Sequence, residues 1–122
     1  MDRWNVFLKD FPSGLGYGNL VYYAQNIQSE DYVRYNFGHI KNMEVYGTAN
    51  PPKVPLDQIS IPTALFVGTY DNLATVADNE WLVTQLNPDT LVWNQQYPLG
   101  HLSFTLAKDM SWFKTDVMNL VN

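Results

Sequence analysis

The apolar run Thr63-Ala-Leu-Phe-Val-Gly68 constrains the fold of this 122-residue chain more than any other feature of its sequence. Pro62 precedes the run and a glycine ends it, and a short apolar run between such residues is typical of a strand that is buried on both faces. Such strands occur in parallel sheets whose two faces are covered by helices. The run therefore predicts a parallel strand of an α/β protein.

A helix, a second strand and a second helix are predicted after this run. Residues 78–86 carry apolar side chains at helical spacing, residues 90–97 alternate as a strand does, and residues 109–121 have one apolar helical face. This order is that of a right-handed crossover unit of an α/β protein. Because two parallel strands leave their outer edges unpaired, we expect the unit to belong to a larger sheet or to pair with another chain.

The first half of the chain is less regular. Its apolar positions predict a short helix from Asn19 that ends before Ser29, and residues 31–37 alternate loosely enough to be extended. The prolines of residues 50–55 then predict an irregular connection, since proline lacks the backbone donor that helices and strands need.

Composition excludes several classes of function. The net charge is −5 and the seven basic residues form no run, so nucleic acid is not expected as a partner. The absence of cysteine excludes disulfides, thiolate zinc sites and a cysteine nucleophile. No apolar run approaches the roughly 20 residues that cross a bilayer, so no transmembrane segment is predicted. Residues 1–10 are interrupted by charge and do not read as a secretory signal.

Binding motifs for cofactors and metals are also missing. Gly14, Gly16 and Gly18 do not predict a phosphate-binding loop, because no strand precedes them and their spacing does not match G-x-G-x-x-G. The two histidines, His39 and His101, are far apart in sequence and belong to no metal-binding motif. We therefore expect neither a metal nor a cofactor.

Asp71 and His101 are the candidate catalytic residues, because each follows a predicted strand. The carboxyl ends of parallel strands meet at one edge of a sheet, where ligand and catalytic groups collect. A carboxylate that accepts from one imidazole nitrogen orients the ring, and the other nitrogen can then take a proton from a hydroxyl nucleophile. The alternative interpretation, a turn aspartate and a structural histidine, stays open at this point.

No serine of the chain has the surroundings of a nucleophile. The elbow G-x-S-x-G does not occur, and Ser103, two residues after His101, lacks the flanking glycines. We expect Ser103 to form local hydrogen bonds instead.

Five blocks of the sequence together resemble the acid lipases of the gastric and lysosomal type. They are Phe11–Gly14, Asn19 with Tyr22–Gln25, Asn50–Pro52, Gly68–Ala74 and Gly100–Phe104. The pattern of that family around its triad aspartate is close to G-G-x-D-x-L-A-D-P-x-D, which Gly68, Asp71, Leu73, Ala74 and Asp78 match and from which Thr69, Thr75 and Val76 depart. Around the triad histidine the family usually reads H-L-D-F, and here Ser103 replaces the acidic residue.

The resemblance implies the C-terminal third of an α/β-hydrolase fold. Residues 1–52 would correspond to the end of a cap region with its connection, and residues 53–122 to the C-terminal part of the core that carries the triad aspartate and histidine. The nucleophilic serine would lie upstream of this chain, so that the remainder of the hydrolase domain is needed and the chain alone is inactive. No cofactor is implied.

The same resemblance implies hydrolysis of neutral lipid esters, such as acylglycerols or sterol esters, at a lipid–water interface, and a secreted or lysosomal location. Six aromatic residues of the cap would line an acyl groove or pack in the ordinary way: Tyr17, Tyr22, Tyr23, Tyr32, Tyr35 and Phe37.

Two alternatives remain beside the lipase. The chain is a non-catalytic module that pairs the open edge of its sheet with another chain, or it belongs to an α/β-hydrolase with peptidase or thioesterase activity.

Overall fold

The computed structural model describes Lys9 and residues 14–121. The chain divides into two compact units, Met1–Val54 and Pro55–Asn122. Compactness alone does not identify a cap, so the assignment of residues 1–52 to a cap region and 53–122 to a hydrolase core stays a prediction. In the part of the chain that the structure describes, no helix combines the length and the apolar character needed to cross a bilayer.

Two helices form the regular part of the first unit: α1 (Tyr17–Ile27) and α2 (His39–Tyr46). Helix α1 begins two residues before the predicted start. Helix α2 was not predicted, because its few apolar residues alternate with polar ones. Gly47 ends α2 in the left-handed conformation with φ +73°, and its N–H donates to the Met43 carbonyl at 3.1 Å.

Side-chain hydrogen bonds, together with one isolated β-bridge, hold the segment between the two helices. Within residues 31–37, only Val33 pairs as a strand residue, in an isolated antiparallel bridge with Lys53. Asn42 is 1% exposed, and its amide bonds to Phe37 N–H, the Asn36 side chain and the Ala49 carbonyl at 2.8–2.9 Å. A single amide thus satisfies the backbone on both sides of α2.

A chain of aromatic rings packs within the first unit, with centroids 4.8–6.4 Å apart. Tyr22 lies against Tyr32 and Tyr35, and Phe37 bridges Tyr35 to Tyr46. These contacts account for part of the predicted aromatic set by ordinary packing. An acyl groove lined by that set stays a prediction.

The second unit contains the strands. Its elements in order are a 3₁₀ turn (Leu56–Gln58), β1 (Thr63–Gly68), α3 (Val76–Gln85), β2 (Leu91–Tyr97), α4 (Ser103–Leu106), a π-helical turn (Phe113–Val117) and α5 (Met118–Val121). Strands β1 and β2 are parallel, from Thr63 opposite Leu91 to Gly68 opposite Tyr97, with one irregularity after Thr63. The predicted parallel pair is confirmed.

Helix α3 begins earlier than its apolar spacing indicates, because a capping box fixes its first turn. The Thr75 hydroxyl accepts from Asp78 N–H at 3.2 Å, and the Asp78 carboxylate accepts from Thr75 N–H at 3.3 Å. The reciprocal pair satisfies two backbone donors that a helix start otherwise leaves open.

Two expectations about burial and regularity held only in part. Strand β1 is buried on both faces only at its carboxyl end, where the adjacent residues Val67 and Gly68 are buried, whereas Ala64 near its start is exposed. The predicted helix over 109–121 becomes helical only at Ser111 and passes through the π turn, whose wider spacing breaks the single apolar face.

Aromatic side chains form the core next to the sheet. Phe66 stacks on Trp93 and Tyr97, and Trp112 contacts Phe66, Tyr97 and Phe104 with centroids 5.1–5.9 Å apart. The Tyr97 hydroxyl also donates to Asp116 Oδ2 at 2.7 Å. This cluster fixes the end of β2, four residues before His101.

Candidate active site

The two predicted catalytic residues lie together at the carboxyl edge of the sheet. Asp71 is the third residue after β1 and His101 the fourth after β2. Their side chains meet with Nδ1 of His101 3.0 Å from Oδ2 of Asp71. Thirty residues of sequence separate the pair, so the parallel register of the strands brings them together.

Asp71 is held as a buried carboxylate. Its side chain is 5% exposed, and its Oδ1 accepts from the backbone N–H groups of Leu73 at 2.8 Å and Ala74 at 2.9 Å. Burial raises the pKa of Asp71, but the hydrogen bonds from Ala74, Leu73 and His101 outweigh it and leave that pKa below its ordinary value. The carboxyl group is therefore ionised at neutral pH.

The ionised carboxylate determines which nitrogen of His101 carries the proton. A carboxylate only accepts hydrogen bonds, so the neutral ring donates its Nδ1 proton to Asp71 and leaves a lone pair on Nε2. Nε2 bonds to no other described residue, and 52% of the His101 side chain is exposed. The ring thus presents a proton acceptor to the open side of the site.

A short turn carries His101. Ser103 N–H donates to the Gly100 carbonyl at 2.9 Å, and Gly100 N–H donates to Ser103 Oγ at 3.3 Å. Ser103 therefore makes the local hydrogen bonds expected of it, at the position where the acid lipase pattern has an acidic residue. No described serine hydroxyl bonds to His101.

Two functional groups were missed from the sequence, the backbone amides of Leu73 and Ala74. An aspartate whose carboxylate bonds to the amides two and three residues ahead forms an Asx-type turn. Asp71-Asn-Leu-Ala74 follows directly after a strand, and this context is the signal that predicts such a turn.

No group of three histidine, cysteine, aspartate or glutamate side chains suited to a metal ion occurs among the residues that the structure describes. Oδ2 of Asp71 and Nδ1 of His101 are hydrogen-bonded to each other, and this arrangement suits proton transfer.

Curated proteins resemble this chain over most of its length. No family model matches it. It is 31% identical over 104 residues to Lipase lipl-1 of Caenorhabditis elegans, which covers 84% of the chain and 26% of the relative. It is 29% identical over 114 residues to human lysosomal acid lipase/cholesteryl ester hydrolase, or 92% of the chain and 28% of the relative. Mouse gastric triacylglycerol lipase is 31% identical over 110 residues, or 89% of the chain and 28% of the relative.

The resemblance to acid lipases is confirmed. These three relatives are named as lipases. The chain spans about 26–28% of the length of the relatives it matches.

Proposed function

We propose that this chain is the C-terminal part of a serine carboxylic-ester hydrolase that acts on neutral lipid esters, such as acylglycerols or sterol esters. The observation that carries the proposal is the 3.0 Å contact between Nδ1 of His101 and Oδ2 of Asp71 at the carboxyl edge of a parallel sheet. The names of the human and mouse relatives, a cholesteryl ester hydrolase and a triacylglycerol lipase, support the substrate class.

In the proposed reaction, Nε2 of His101 takes the proton of a serine hydroxyl that lies outside this chain, and the serine oxygen attacks the ester carbonyl. The tetrahedral intermediate collapses as His101 returns the proton to the leaving alcohol. Water then attacks the acyl-enzyme with His101 again as base, and the fatty acid and free serine are released. No cofactor takes part in this scheme.

Asp71 has two roles in the scheme. It keeps the proton of the neutral imidazole on Nδ1, and it stabilises the imidazolium that forms when Nε2 accepts the serine proton. Its low exposure and the two amide donors prevent it from turning away from the ring.

The proposal places β1, α3 and β2 in the C-terminal part of an α/β-hydrolase core, with the triad acid and base after successive strands. Residues 1–52 are the end of the cap in this scheme. The outer edges of β1 and β2 pair with strands of the remaining hydrolase domain.

The test compares two histidine variants in the full-length protein that contains this chain. His101→Ala lowers ester turnover by about 10⁴-fold or more, on the scale of triad residues, and abolishes covalent labelling by a fluorophosphonate. His39→Ala is the matched control, because His39 is exposed at the start of α2 and leaves turnover and labelling unchanged. Full activity in His101→Ala refutes the proposal.

The isolated 122-residue chain gives the complementary result. It lacks a serine elbow, so a fluorophosphonate does not label it. Labelling at Ser103 overturns the assignment of the nucleophile to another part of the protein.

A non-catalytic assembly module is the second candidate, favoured by the two-stranded sheet of the described chain. This candidate predicts a cellular product of 14.0 kDa that co-purifies with a partner chain and is not labelled by a fluorophosphonate. A labelled product several times larger excludes it.

A further inference from the structure

The pairing of β1 with β2 continues past the strand ends toward the catalytic pair. Thr69 N–H donates to the Tyr97 carbonyl at 2.9 Å, and Tyr70 N–H donates to the Leu99 carbonyl at 3.1 Å. The second bond lies one residue before Asp71 and two before His101. We call Gly68, Thr69, Tyr97 and Leu99 the strand-end junction.

Gly68 has no room for a side chain at this junction. A Cβ atom added there would collide with the Leu99 carbonyl oxygen and would lie 3.1 Å from Cε2 of Phe104 and 3.2 Å from Cβ of Asp71. The first of these neighbours is backbone, so a rotamer change does not relieve the contact. A methyl group at residue 68 forces the loop of His101 away from the strand that leads to Asp71.

Thr69 holds the junction from the other side. Besides its N–H, its Oγ1 donates to the same Tyr97 carbonyl at 3.2 Å. The acid lipase pattern has glycine at this position, so this second bond comes from the side chain particular to this chain.

We propose that Gly68 and Thr69 are positioning residues that set the separation of Asp71 and His101, an inference that rests on the proposed hydrolase function. Gly68 acts by permitting close approach of the two loops, and Thr69 acts by bonding them. Because a misplacement of about 1 Å in a catalytic group costs about 10²-fold in rate, the junction controls turnover without touching substrate.

The first experiment compares two glycine-to-alanine variants in the full-length protein. Gly68→Ala lowers kcat by about 10²-fold and leaves KM close to the wild-type value, since the substrate contacts are unchanged. Gly18→Ala is the control: Gly18 lies in α1, and an added Cβ there has no atom within 4 Å, so kcat stays within a factor of about 3. Equal kcat in both variants and in wild type overturns the proposal for Gly68.

A spectroscopic readout separates positioning from stability and from the catalytic assignment itself. The proton shared by His101 Nδ1 and Asp71 gives a hydrogen-bonded imidazole resonance in the NMR spectrum of the full-length protein. This resonance shifts or disappears in Gly68→Ala and is retained in Gly18→Ala. If His101→Ala keeps full activity, the proposed function fails, whereas the behaviour of this resonance still decides whether the junction positions the pair.

A pair of threonine variants keeps the inference testable if Gly68→Ala does not fold. Thr69→Val removes the Oγ1 bond at nearly constant volume, and it lowers kcat several-fold and perturbs the imidazole resonance. Thr69→Ser keeps the hydroxyl and restores both. A wild-type resonance and kcat in Thr69→Val overturn the role of Thr69, and with it the junction as a positioning device.

Discussion

Replacing Asp71 by asparagine reverses the hydrogen bond that orients His101. In the wild-type site one carboxylate accepts three bonds, from Leu73 N–H at 2.8 Å, Ala74 N–H at 2.9 Å and the imidazole at 3.0 Å. The amide oxygen of an asparagine must face the two backbone donors, because its NH₂ group has nothing to donate to there. The NH₂ group is therefore left facing Nδ1.

An NH₂ group only donates, so Nδ1 of His101 becomes the acceptor and the ring proton moves to Nε2. Nε2, which takes the serine proton in the proposed reaction, then has no lone pair with which to do so. We expect kcat to fall by about 10⁴-fold, which corresponds to about 5 kcal/mol of transition-state stabilisation. The fold is retained, because the buried side chain keeps its shape, keeps its two bonds from backbone N–H groups and reverses the third bond, to His101.

The assay is steady-state hydrolysis of a soluble ester and of an emulsified acylglycerol by the full-length protein. Asp78→Asn serves as control, since the Asp78 carboxylate caps α3 through Thr75 and has no bond to His101. That control retains turnover within a factor of about 3. If Asp71→Asn retains full turnover, another carboxylate orients the imidazole and the assignment of Asp71 is refuted.

Three further predictions concern the surroundings of the site. Ser103→Ala lowers kcat several-fold by removing the hydroxyl that accepts from Gly100 N–H, whereas Ser103→Asp keeps an acceptor at this position and retains more of the wild-type kcat; a wild-type kcat in Ser103→Ala contradicts this role. Thr75→Ala lowers the free energy of unfolding in urea by about 1 kcal/mol by removing the cap of α3, and Thr75→Ser recovers most of it; equal midpoints for all three proteins contradict the capping interpretation. The pKa of Asp71 is lower in the folded protein than its ordinary value of 3.8, so the ionised carboxylate stabilises the fold at pH values above 3.8, and this stability is lost as the pH falls through the folded-state pKa. We expect the urea midpoint of the wild-type protein to fall more steeply below pH 3.8 than that of Asp71→Asn. Equal slopes for the two proteins contradict this linkage.

The strands and the contact between Asp71 and His101 were accessible from the sequence because their signals are local. Thr63–Gly68 is a bounded apolar run, and the structure has β1 at those residues. Asp71 and His101 follow the two strands at short distances, so a parallel pairing alone predicts their approach. The role of the pair in catalysis stays a proposal.

The parts that were missed depend on contacts between distant residues or on weak local patterns. Helix α2 has little amphipathic character and is held by the buried amide of Asn42, a contact that periodicity does not reveal. The π turn at Phe113–Val117 is a departure from the helical spacing that the prediction assumed. The crowding at Gly68 arises from Leu99, 31 residues later, and no local pattern of glycines indicates it.

The 30-residue separation of Asp71 and His101 has a consequence for the order in which the site forms. Closing a chain segment of this length costs about 3 kcal/mol in its length-dependent entropy, which the pairing of β1 with β2 and the capped helix between these strands repay. Parallel pairing joins residues that are distant in sequence and is slower than the formation of local turns. We therefore expect the contact between Asp71 and His101 to form together with the pairing of the two strands, after the first turn of α3.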